Sequence, residues 1–201
     1  MRLRNTAKRL ADRGWPVTPG SYFNGVRMAC DRSTCWATSC HPLLPDWESN
    51  EDSADWWAER PHAVLLRTGR IFDVIEVPGL LGAKVSGVFG PIALLPNRRW
   101  MFFVRSGSML RAELDHRLDI VQHGAGSWVP APPTPLAEGS VRWHLSPQQV
   151  GWNLPLATEV QQAMLTALVA LDASFLDLPL NARPRVFGRP PTVETALRRA
   201  A

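Results

Sequence analysis

Arg67-Thr-Gly-Arg-Ile-Phe-Asp73-Val-Ile-Glu76-Val-Pro78 is the stretch on which the reading of this chain turns. Ile71 to Glu76 are all strand-formers or acids, with Gly69 before them and Pro78-Gly79 after them. That pattern predicts a buried strand that ends by presenting carboxylates. Side chains alternate along a strand, so Phe72, Val74 and Glu76 share one face and Asp73, Ile75 and Val77 the other. Two acids this close suggest a metal site, yet the alternation aims them apart. Their competing reading is that of strand-end polar groups answering Arg67 and Arg70.

Working outward, Ala63-Val-Leu-Leu-Arg predicts the preceding strand, and Ser53 to Arg60 a short helix capped by Ser53 or Asp52 and stopped by Pro61. Of Trp56 and Trp57 on that helix, one is expected inside and one partly exposed. Thr6 to Arg13 predicts a helix stopped by Gly14, followed by a strand from Trp15 into a turn at Pro19-Gly20. Ser21 to Asn50 reads as loop. Beyond the acidic strand, Leu80 to Gly90 predicts a helix weakened by Gly82 and Gly87. Ile92 to Leu95 and Trp100 to Arg105 predict a hairpin closed at Asn97-Arg98-Arg99. Further strands are expected at Leu118 to Gln122, Ser127 to Ala131 and Ser140 to Leu145, with a turn at Gly124 to Gly126. Leu156, Val160, Met164, Ala167, Leu168 and Leu171 form a helical stripe. Strands mixed with a few helices, without regular alternation, indicate an α+β fold.

The chain has 201 residues, 45% hydrophobic and 20% charged, which suits one globular domain. We expect that domain over residues 1–178, followed by an Arg/Pro-rich tail over 179–201. No apolar run approaches the roughly 18 residues of a membrane span, and Met-Arg-Leu-Arg-Asn has no apolar signal region. The expectation is a cytoplasmic protein with no membrane partner. The net charge is +4 and the pI about 9.5, compatible with an anionic partner. Of the 22 basic residues only Lys8 and Lys84 are lysines, a usage that fits a GC-rich genome more than selection for phosphate contact.

Cys30, Cys35, Cys40 and His41 give C-x4-C-x4-C-H, four ligand types that suit tetrahedral Zn²⁺. The alternative is free or buried thiols, since an odd cysteine count in a cytosolic chain argues against disulfides.

In order along the chain stand Arg13-Gly-Trp-Pro-Val17, Cys40-His41-Pro42, Trp56-Trp57 with Arg60-Pro-His-Ala63, Thr68-Gly69, Asp73-Val-Ile-Glu76-Val, and Leu118-Asp119-Ile120 with Gly124, Gly126 and Ser127-Trp-Val-Pro-Ala-Pro-Pro-Thr134. This series resembles the bifunctional DNA primase/polymerase (prim-pol) domain of the archaeo-eukaryotic primase superfamily, from about Thr6 to Leu171. The resemblance implies a prim-pol-type mixed β-sheet flanked by helices. It also implies metal-dependent nucleotidyl transfer on DNA with nucleoside triphosphates, Mg²⁺ or Mn²⁺ as cofactor, and a separate helicase or replication protein as partner. Two metal ions would neutralise the charge that phosphoryl transfer places on the attacking and leaving oxygens. Glu76 matches the first acid of the family's pair and Asp119 the third, with Asp73 the substitute for a second acid that falls on Pro78. The family's nucleotide-binding His falls at or beside Trp100. His41, Arg98, Arg99 and Arg105 are the expected nucleotide or DNA contacts. The alternative reading is a degenerate relative that binds DNA, nucleotide or a replication partner without polymerising. No G-x-x-x-x-G-K-[ST] phosphate loop occurs, so any unwinding would come from another protein.

Overall fold

The computed structural model describes residues 2–30, 35–43, 56–85, 87 and 90–176, with side chains described through residue 172. The chain divides into a first unit, Met1–Leu168, and a second, Val169–Ala201. The expected tail over 179–201 lies outside the described residues.

In the first unit, helix α1 (Arg2–Ala11) buries Thr6, Ala7 and Leu10, which the 3.6-residue period places on one face. Gly14, at φ 76°, ends it in the left-handed conformation, and Trp15 N–H returns to Leu10 O at 3.0 Å. That turn delivers Trp15 to the core, where its ring lies 4.7 Å from Phe72 and 5.5 Å from Phe103. Burying each such ring contributes on the order of 2–3 kcal/mol.

Two sheets organise the strands. In the smaller, β1 (Val17–Gly20), β4 (Ala63–Arg67) and β9 (Trp128–Pro130) lie in the order β1-β4-β9. Short hairpins are formed by β2 (Tyr22–Phe23) with β3 (Met28–Ala29) and by β10 (Pro135–Leu136) with β11 (Gly139–Ser140). The larger sheet contains β5 (Phe72–Pro78), β6 (Ile92–Leu94), β7 (Arg99–Arg105), β8 (Val121–His123) and β12 (Arg142–Leu145), ordered β12-β6-β7-β5-β8. Every pairing between these strands is antiparallel. The α+β class thus holds, with the Asp73–Glu76 strand near the centre of the larger sheet. Phe72 to Ile75 and Val77 are buried, because a strand covered on both faces reads as a continuous apolar run.

Helices α2 (Trp56–Glu59), α3 (Gly79–Gly82), α4 (Ala112–Asp115) and α5 (Ala157–Leu176) complete the described elements. Trp57 is buried and Trp56 is 40% exposed, the division expected. The expected cap at Ser53 or Asp52 lies outside the described residues. Four expectations need correction. The stretch read as loop from Ser21 carries the short β2–β3 hairpin. The helix over Leu80–Gly90 is a single turn: a Cβ on Gly82 would sit 2.4 Å from the Trp100 ring, and Gly87 adopts φ 73°, outside the helical region. The strand at Leu118–Gln122 starts only at Val121; Leu118 and Asp119 lie in a turn that Ile120 N–H closes onto Arg117 O at 3.2 Å. Helix α5 begins at Ala157 and buries Val160, Met164 and Ala167, while Leu156 stays half-exposed outside it.

Candidate active site

The register fixes which side chains can meet. Directly opposed residues of an antiparallel pair share a face. Glu76 on β5 stands opposite Met101 of β7 and Val121 of β8, and Val74 stands opposite Phe103 and His123. Glu76 therefore shares its face with Arg99 on one side and His123 on the other, each one pleat along. Asp73 pairs with Val104 and lies on the opposite face beside Gln122, as the alternation anticipated.

Both Glu76 oxygens are engaged. Arg99 Nε donates to Oε1, and His123 Nε2 lies 2.9 Å from Oε2. A carboxylate only accepts, so His123 Nε2 carries the hydrogen, and its Nδ1 faces Ser127 Oγ at 3.2 Å. Arg99 Nη2 also reaches the main-chain oxygen of Asp119 at 2.9 Å. Burial alone pushes the Glu76 carboxyl up; the hydrogen bonds and charges of His123 and Arg99 outweigh it and hold the group below the usual carboxylate value. The side chains of Glu76, Arg99 and His123 are only 14%, 23% and 20% exposed.

The other two acids lie elsewhere. Asp119 turns its carboxylate to Arg117, at 3.2 and 3.3 Å, and is half-exposed. Asp73 is 3% exposed; its Oδ2 accepts from Gly107 N–H at 3.1 Å and Gln122 Nε2 at 3.3 Å, while Oδ1 is buried without a partner. Asp73, Glu76 and Asp119 therefore do not converge. Mg²⁺ or Mn²⁺ wants several oxygens in near-octahedral order, and these residues do not supply that arrangement. The Arg99 guanidinium instead bridges the carboxylate of Glu76 and the main chain of Asp119.

Next to this cluster a cavity of about 920 Å³ is lined by Arg98, Arg99, Trp100, Glu138, Ser140 and Arg142, among others. Its wall is the β6–β7 turn, where Arg98 adopts φ 63° and its N–H bonds Leu95 O at 3.1 Å. Gly79 lets this turn close on α3, since a Cβ there would lie 2.4 Å from Arg98 O. Trp100 packs on Gly82 and on His144, with ring centroids 4.7 Å apart. Arg105 stands at the other end of β7, roughly 20 Å from Arg99 by strand rise, and its Nε donates to Leu154 O at 3.0 Å. Arg98 and Arg99 thus share the cavity, and Arg105 does not reach it.

His41 sits among the cysteines: its Nε2 is 3.4 Å from Cys35 Sγ. Among the described residues, Cys30, Cys35 and His41 are the group whose metal-ligand atoms converge, all within 4.8 Å of one another. Cys40 is not in that group. Burial pushes its thiol up to about 12, against a lowering hydrogen bond with Ser21.

A family model described as bifunctional DNA primase/polymerase, N-terminal, matches residues 7–158, more than half of the chain. The chain belongs to that family. No curated protein matches it. Membership of the prim-pol family points to a DNA primase/polymerase-like function, with DNA and nucleotides as ligands. Among the described residues no helix is long and apolar enough to cross a membrane. Within this prim-pol domain, sequence reasoning missed His123, Arg142 and Glu138. The motif series passed over His123, naming only Gly124 beside it. Its same-face position beside Glu76 follows from the β5–β8 register, a pairing across 47 positions that no local pattern signals.

Proposed function

We propose that this prim-pol domain serves DNA replication by binding nucleotide or single-stranded DNA, without carrying out metal-dependent nucleotidyl transfer itself. One observation supports the reading: Arg99 and His123 engage both oxygens of the Glu76 carboxylate, the group that matches the first metal-binding acid of the family. Pro78 at the position of the family's second acid, and Asp119 turned to Arg117, support it.

The ligand side of the proposal rests on the neighbouring cavity. Arg98 and Arg142 line it, and neither makes an ion pair among the described residues. Exposed guanidinium groups that form no ion pair favour phosphates, and the fork of donors on each suits phosphate oxygens. Trp100 and the apolar residues of the wall give a base something to pack against.

Fluorescence polarisation with a labelled single-stranded oligonucleotide, and thermal shift with deoxynucleoside triphosphates, test this reading. The wild-type chain is expected to bind at low salt, and Arg98→Glu and Arg142→Glu each to weaken binding and reduce the salt slope by about one. Folded wild-type protein that binds neither ligand at low salt would refute the binding proposal.

A further inference from the structure

The Cys30–Cys35–His41 cluster lies outside the Glu76 site and outside the arginine-lined cavity, and it has the parts of a metal centre. The three ligand atoms fall within 4.8 Å of one another although the residues are spread over C-x4-C-x5-H. The imidazole is already oriented. His41 Nδ1 lies 2.8 Å from the main-chain oxygen of Ser39. A carbonyl only accepts, so Nδ1 holds the hydrogen and the Nε2 lone pair points to Cys35 Sγ at 3.4 Å. Metal-binding histidines are held in this way, with the second ring nitrogen donating to a carbonyl or carboxylate.

The backbone around His41 is fixed as well. Its N–H donates to Ser21 Oγ at 3.2 Å, and its carbonyl accepts from Ser21 N–H at 2.8 Å. Pro42 bridges to Gly20, and Leu43 N–H donates to Pro19 O at 3.0 Å. Cys30 follows directly on β3. Two of the three ligands are thus anchored beside regular structure.

We propose that Cys30, Cys35 and His41 bind one Zn²⁺ ion, with Cys40 outside the ligand set. Two thiolates and a neutral imidazole are the donor types zinc takes in tetrahedral sites, and they fill three of its four positions. Binding displaces one proton from each cysteine thiol, so the two thiolates balance the charge of the ion. All three residues are half-buried, which leaves the ion an entry path. The assignment retains three of the four residues first singled out by spacing. It replaces the adjacent Cys40–His41 pair by His41 alone.

The test uses the full chain, purified without metal-affinity resin, with zinc measured by mass spectrometry. About one zinc per chain is expected, lost in Cys30→Ser, Cys35→Ser and His41→Gln and kept in Cys40→Ser. Because a ligand variant could unfold, the wild-type protein exchanged into Co²⁺ supplies a second readout. Thiolate-to-cobalt charge transfer and intense tetrahedral visible bands are expected. Zinc-free wild-type protein that also gives no tetrahedral cobalt spectrum would overturn the site. Loss of zinc in Cys40→Ser with retention in His41→Gln would overturn this ligand set.

Discussion

Replacing Glu76 by Gln probes the cluster at the centre of this structure with almost no change of shape. The carboxylate accepts from Arg99 Nε on one oxygen and His123 Nε2 on the other. An amide keeps one acceptor and turns an NH₂ group toward the second donor. The variant therefore loses one hydrogen bond to a charged group, worth about 1.5–3 kcal/mol, and opposes two donors. It also leaves the Arg99 charge, 23% exposed, without its counter-charge. Partial solvent screening keeps the sum below the 3–5 kcal/mol of a fully buried broken pair, and we expect about 2–3 kcal/mol. For a domain of this size that lowers Tm by roughly 5–10 °C. Melting curves across pH add a sign. The folded state holds Glu76 below its ordinary value of 4.5. Its contribution is therefore complete above that value and disappears as pH falls through the depressed folded value. The gap between wild type and Glu76→Gln is expected to be full at neutral pH, to shrink only below 4.5 and to vanish as pH falls through the depressed folded value. A variant as stable as wild type at pH 7, or a gap that widens on acidification, would refute the pairing.

Asp119→Ala removes an exposed pair with Arg117 but leaves the main-chain oxygen that Arg99 uses, so denaturant unfolding should show a loss of at most about 1 kcal/mol. Phe103→Ala empties a site 1% exposed between Trp15, Phe72 and Trp143, and should cost about 3–5 kcal/mol in the same assay. Gly69→Ala places a Cβ 2.2 Å from Ala125 Cα at φ 95°; a cost of about 2 kcal/mol or more is expected, read as a fall in Tm. Asp73→Asn retains an acceptor for Gly107 and Gln122, whereas Asp73→Ala orphans the Gly107 N–H and leaves Gln122 Nε2 only its bond to Ser108 O. The alanine variant should be the less stable by about 1–2 kcal/mol in urea titrations.

Much of the fold was legible because its signals are local. The β5 alternation separated Asp73 from Glu76 correctly, and the Asn97-Arg-Arg turn between two apolar runs gave the β6–β7 hairpin. Trp56 and Trp57 divided as a short helix requires. The failures came where tertiary contact overrides pattern. Leu118-Asp-Ile-Val-Gln has strand composition, yet Leu118 is fully exposed in a turn, since only Val121 to His123 find a partner in β5. The helical stretch after Pro78 is a single turn, in which Gly79 and Gly82 admit Arg98 and Trp100, and Gly87 lies outside the helical region.

The candidate site was legible in its members and not in their partners. Arg67 and Arg70 are the cations that most closely precede Glu76 in sequence, but the strand carries them away. Arg99 and His123 arrive across the sheet from 23 and 47 positions further along. A spacing rule sees acids as metal ligands; only the register shows which cations sit between them. For the cysteines the spacing was informative, but the choice between Cys40 and His41 depended on which of two adjacent side chains faces the cluster.

Template-directed extension is the measurement closest to the central claim. Purified full-length chain would be incubated with primed and unprimed single-stranded DNA, labelled nucleotides, and Mg²⁺ or Mn²⁺, beside Glu76→Gln and Asp119→Ala. No incorporation is expected from folded wild-type protein that binds the same DNA. Incorporation by the wild type, abolished in both variants, would contradict that claim: the carboxylates would then have to leave Arg99, His123 and Arg117 to assemble a metal site.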